Sequence, residues 1–166
     1  MNTVKGFSLL ECAIVVALLI IIAHIIVIHG TYLQRILVRQ DVEKLMAVCR
    51  FLQQTAMVTN TTKELVFDQK NKSYTYNSTT EKLSKNTEFG ILPGTLGPPS
   101  NPTHPITSPI TFSNEKIIFY PDGIIQPGTV YLIRKDIQVM YALSCAVSQV
   151  SFLRIYHYDG KWHCIS

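Results

Sequence analysis

The chain has 166 residues, 47% of them apolar and 16% charged, with a formal net charge of +4. Set aside the apolar start and about 135 residues remain, which suits one small domain. The lysines are scattered (Lys63, Lys70, Lys72, Lys82, Lys85), which describes a solvated surface rather than a nucleic-acid footprint. None of the four cysteines has the Cys-x-x-Cys or Cys/His spacing of a zinc site, so neither metal nor cofactor is expected.

From Phe7 to Ile28 there is one formal charge, Glu11, and no proline or glycine. A helix through those positions is about 33 Å long, enough to cross a hydrocarbon core. The run is too long for a secretory signal peptide and no small-residue cut follows it. A plain membrane anchor fits the length but leaves Glu11 without a reason, and a carboxylate facing lipid costs several kcal/mol. Cations stand on both sides, Lys5 before and Arg35 and Arg39 after, so charge counting leaves the orientation open.

From Thr31 to Thr59 the chain continues without glycine or proline. Val38, Val42, Leu45, Cys49, Leu52 and Ala56 recur at spacings of 3 and 4, one face of an amphipathic helix that packs on a sheet. Gln40, Asp41, Lys44, Gln53 and Gln54 fall mostly off that face. Cys49, on the stripe, reads as a small buried apolar residue.

Asn60-Thr61-Thr62 ends the helix. Glu64–Asp68 and Lys72–Tyr76 read as a hairpin around Gln69-Lys70-Asn71. Residues 92–109 hold six of the 8 prolines, with Gly94 and Gly97, and read as a long exposed loop. In the β-rich block from Ile110 to Leu132, Pro121-Asp122-Gly123 marks a turn between two strands, proline presetting φ and glycine accepting a positive one. The tail alternates toward a last hairpin, Ser151–Tyr158, with Asp159-Gly160 as a type I′ pair and Lys161–Cys164 pairing back. Cys145 and Cys164 flank this unit. A bridge between them would close a loop of about twenty residues and stabilise by roughly 3 kcal/mol, and reduced buried thiols account for the pattern equally well.

No nucleophile–base pair, paired carboxylates or phosphate loop stands out. His104, His157 and His163 have no partnered carboxylate at informative spacing, so no enzyme activity is expected.

Lys5-Gly6-Phe7-Ser8-Leu9-Leu10-Glu11, followed at once by the apolar run, resembles the processing site of type IV prepilins. The resemblance implies a leader of residues 1–6 removed by a prepilin peptidase between Gly6 and Phe7, and N-methylation of Phe7. It implies a transmembrane helix over 7–30, an amphipathic continuation over 31–59 and a β-rich domain over 60–166. The Pro-Asp-Gly phrase, with Phe119 before it and Pro127-Gly128-Thr129 after it, resembles the GspH/FimT pseudopilin family. That family implies an α+β pilin-like fold, a long helix packed on antiparallel sheet. It also implies a single-pass place in the inner membrane with the C-terminal domain on the periplasmic side, and other pilins or pseudopilins as filament partners. The machine is a type II secretion system or a type IV pilus. Many pilins kink the buried half of the helix with a proline; this chain has none there.

Glu11 then acquires a physical role. After the cut it is the fifth residue, and in a water-poor helical bundle its carboxylate can meet the new Phe7 ammonium of a neighbour, which satisfies two charges that are costly alone. A second reading is a FimT-like DNA-binding subunit in DNA uptake. That branch carries basic residues in a Gly-Arg-x-Arg phrase near the C-terminus, where this chain has Gly160-Lys161-Trp162-His163. Arg154 and Lys161 would contact phosphates and Trp162 would stack on bases.

Overall fold

The computed structural model describes residues 9–97, 101, 103–146 and 152–165, and leaves the side chains of 24–33 outside the description. It is α+β with antiparallel sheets. One helix, α1 (Leu9–Thr59), is followed by β1 (Lys63–Asp68), β2 (Ser73–Tyr76), β3 (Thr79–Lys82), β4 (Glu88–Phe89), β5 (Lys116–Phe119), β6 (Gly128–Arg134), β7 (Val139–Ala146), β8 (Phe152–Tyr158) and β9 (Trp162–Cys164). The chain divides into two compact units, Met1–Gln34 and Arg35–Ser166.

In the second unit the six stripe residues of α1, Val38 through Ala56, are all fully buried. They join one core with Leu65, Phe67, Tyr74, Ile117 and Phe119 from the first sheet and Leu132, Leu143 and Ile155 from the second. Burial of each large aliphatic side chain contributes about 1.5–3 kcal/mol, so this stripe is what keeps the helix on the domain. Polar contacts fix how it sits. Asp41, buried beside the stripe, accepts hydrogen bonds from the Ser84 amide at 3.0 Å and hydroxyl at 2.9 Å. Gln53 donates to the Gly123 carbonyl at 2.7 Å. The helix ends as a Schellman motif: Asn60 takes φ 51° and the Thr61 amide returns to the Ala56 carbonyl at 3.2 Å.

The first sheet has the order β3-β2-β1-β5 and the second β4-β6-β7-β8-β9. The expected first hairpin forms, Phe67 opposite Tyr74, and Asp68 closes its turn by accepting from the Asn71 amide and side-chain amide at 2.9 and 2.7 Å. Those bonds, the amide's first, hold the Asp68 carboxyl below the usual carboxylate range. β3 and β4 carry no apolar alternation (Thr79-Thr80-Glu81-Lys82 and Glu88-Phe89), which is why periodicity does not reveal them. Glu88 lies between cations from both sheets, 2.6 Å from Lys135 and 3.0 Å from Lys72. Lys135 first and then Lys72 hold its carboxyl low.

Pro121-Asp122-Gly123 turns the chain as expected, with Gly123 at φ 83°, its amide bonded to the Tyr120 carbonyl at 3.0 Å, and Phe119 bridged antiparallel to Ile125. Residues 124–126 fold back along β5 through Tyr120 N to Ile124 O and Gln126 N to Ile118 O, and β6 then enters the other sheet. The last turn holds three residues, Asp159, Gly160 and Lys161, between paired Tyr158 and Trp162. Gly160 takes a positive φ and Asp159 does not, so it is not the type I′ pair. The described part of the proline-rich segment is mostly exposed, as expected, and is anchored at points on the sheet. Ile91, Leu92 and Ile106 pack on a second core of Tyr131, Ile133, Met140 and Ala142, and the Tyr131 amide bonds the Pro109 carbonyl at 2.8 Å. The segment covers the face of the second sheet that α1 does not.

Candidate functional site

Every residue from Leu9 to Ala23 is exposed. The side chains are Leu, Ile, Val and Ala apart from Glu11 and Cys12, and Leu9 is 89% and Ile21 56% accessible. A helix that is apolar on all sides is stable only where something apolar surrounds it. Glu11 lies in the first turn of α1. Among the described residues no helix is long and apolar enough to cross a membrane. The expected span over 7–30 takes in Phe7, Ser8 and the side chains of 24–30, which lie outside the described residues. So do the leader 1–6 and both sides of the expected cut, Gly6 and Phe7.

The C-terminal hairpin carries the residues expected to contact DNA, and it does not bring them together. Arg154 is exposed in the middle of β8, opposite Ser144. Lys161 stands exposed in the turn just past Tyr158, the end of that strand, which lies four residues and roughly 13 Å from Arg154. Trp162 is engaged in packing. Its ring centroid lies 5.8 Å from Tyr131 and 5.0 Å from Tyr158, and its indole N–H donates to the Leu96 and Gly97 carbonyls at 3.1 and 2.9 Å. A tryptophan so held is committed to packing inside the domain, although it is only half-buried.

Of the two alternatives left open for Cys145 and Cys164, the strand positions do not suit a bridge. Cys145 is buried and lies opposite Leu153, part of the core under α1. Cys164 is exposed and lies opposite Tyr156, which packs on the second core. Cross-strand partners share a face, so the two thiols are on opposite faces of the sheet, with β8 between their strands. Two strand spacings and three residues of offset place their Cα atoms about 14 Å apart, and a disulfide needs less than about 7 Å. Both are thiols in the structure. The neighbour of Cys145 is Cys49: burial, and then the nearby Cys145, pushes the Cys49 thiol well above its ordinary range.

One chemical constellation escapes sequence reading. His163 Nε2 lies 2.9 Å from the Asp159 carboxylate across the last turn, the partnered carboxylate that spacing did not reveal. His157 is directly opposite His163 on the ladder, its ring 4.8 Å from Tyr141. Burial above all holds His157 below the ordinary histidine range. The signal in the sequence was the turn itself. A three-residue loop makes Asp159 and His163 diagonal neighbours, whereas the expected two-residue loop does not.

An open cleft of about 620 Å³ lies beside this hairpin, lined by Ile91, Leu92, Thr95, Lys135, Tyr158 and Asp159 among others. Its charged groups are occupied, Lys135 by Glu88 and Asp159 by His163. Among the described residues no three His, Cys, Asp or Glu side chains converge on a metal position. Comparison of the chain with family models, curated proteins and solved structures returned no match.

Proposed function

We propose that this chain is a non-enzymatic filament subunit, a minor pseudopilin or pilin of the GspH/FimT type, serving a type II secretion system or a type IV pilus. The observation that carries the reading is the all-round exposure of apolar side chains from Leu9 to Ala23, on the same helix whose later residues form a single buried stripe. A helix built that way needs lipid before assembly and neighbouring helices after it. In this reading the apolar stretch holds the protein in the inner membrane with the β-rich domain on the periplasmic side. A prepilin peptidase cuts after Gly6 and the Phe7 amine is methylated. Extraction into the filament then exchanges lipid for other pilins, and the Phe7 ammonium of one subunit meets Glu11 of another, since both charges are costly apart in a dry bundle.

The test is Glu11→Ala in cells that assemble the filament. The variant enters the membrane and is processed as the wild type is, and is depleted from the sheared filament fraction. Recovery equal to wild type contradicts the role given to Glu11.

A further inference from the structure

Strand β9 carries different chemistry on its two faces. His163 is on the face toward α1, across the ladder from His157. Trp162 is on the other, packed on Tyr131 and Tyr158 and bonded to the carbonyls of Leu96 and Gly97 in the proline-rich segment. The strand is only three residues long and stands at the edge of its sheet, paired with β8 alone. Short edge elements of this kind open at the smallest free-energy cost.

The groups around His157 come from four elements. Tyr141 of β7 lies against its ring. Arg35 of α1 and His163 of β9 both oppose a charge on it, Asp159 of the turn favours one, and burial outweighs each of them. Arg39 and Glu43 of α1 act on the neighbouring Tyr141. Both carboxylates in this set are already shared, because Asp159 pairs with His163 and Glu43 with Arg39.

We propose that the β8–β9 hairpin is an acid-sensitive clasp: protonation of His157 crowds it against His163 and Arg35, β9 comes away from β8, and Trp162 releases the proline-rich segment from the second face of the sheet. The direction follows from linkage. His157 binds its proton less readily in the closed hairpin than in the open one, so closure is fully favoured above about pH 6.5 and is lost as pH falls below it. The three residues of β9 carry the event from one face of the sheet to the other. The clasp is independent of filament assembly.

Trp162 is the single tryptophan in the chain and reports on this strand directly. In the full chain in detergent micelles, its emission maximum moves to the red and its acrylamide quenching rises between about pH 8 and pH 5. The maximum is read rather than the intensity, because an imidazolium beside an indole quenches it without any movement. His157→Gln keeps the pH 8 maximum at pH 5. Arg35→Gln, an exposed change on the helix, leaves a smaller red shift than wild type. A wild-type maximum that does not move with pH overturns the clasp, and so does a shift in His157→Gln equal to that of wild type. Should His157→Gln fail to reproduce the wild-type maximum at pH 8, an undiminished shift in Arg35→Gln overturns it instead.

Discussion

The two parts of α1 differ in how they handle apolar side chains. From Leu9 to Ala23 they point outward on every side; from Val38 to Ala56 six of them, Val38, Val42, Leu45, Cys49, Leu52 and Ala56, form one stripe with none of its surface exposed, while Phe51 stands outside it. Backbone conformation is the same in both. The difference teaches that the second part answers to this chain's own sheets, while the described side chains of the first stay uncovered, and in the filament reading covering them is the work of lipid and then of other subunits.

The comparison can be broken by substitution. Leu52→Ala removes a fully buried stripe residue and costs the domain about 2–5 kcal/mol in denaturant unfolding of the full chain. Ile20→Ala, on the exposed part, leaves the same transition where it was. Equal losses would mean the two parts are not different in kind. Asp41→Ala is expected to cost about 1–3 kcal/mol, since the half-buried Ser84 amide and hydroxyl lose their acceptor. Gly123→Ala costs about 1–2 kcal/mol: φ is 83° there and an added Cβ would stand 2.9 Å from the Met57 sulfur. Lys44→Ala, which removes only an exposed 2.7 Å pair with Glu81, changes stability by less than about 1 kcal/mol. A larger loss from Lys44→Ala than from Asp41→Ala would reverse the ranking of polar contacts that dock the helix.

Thiol accessibility sharpens the picture of the domain without a stability measurement. Cys164 is exposed, and Cys49 and Cys145 are buried. Maleimide labelling of the folded protein is therefore expected to reach Cys164 and to reach Cys49 and Cys145 only after unfolding, since the reagent has no access to a buried thiol and burial also holds the Cys49 thiol high. A peptide linking Cys145 to Cys164 on a non-reducing map would contradict the strand order.

The helix was legible because its stripe repeats at helical spacing over six positions, and all six are buried. The first hairpin was legible because Val66 and Phe67 stand among β-formers before a turn that Asp68 closes through Asn71. β3 and β4 were not, because their pairing rests on backbone bonds and on contacts such as Glu81 with Lys44, which leave no period in the sequence. Asp41 was placed off the stripe by its polarity, yet Ser84, 43 residues away, supplies the partner that lets it be buried. The supposed bridge failed for a related reason. Sequence distance between Cys145 and Cys164 says nothing of which face each strand turns toward the core. The proposed processing motif around Gly6, Phe7 and Glu11 rests on adjacent residues alone, and Gly6 and Phe7 lie outside the described residues.

That motif supplies the most direct test of the filament reading. The full chain is expressed with an active prepilin peptidase, purified from membranes, and its intact mass and N-terminal peptide are measured. The account predicts a chain that has lost residues 1–6 and begins at N-methylated Phe7, and a Gly6→Leu variant that keeps Met1. A membrane-bound chain that still begins at Met1, or one cut beyond Ile28 so that the apolar helix is lost, would contradict it.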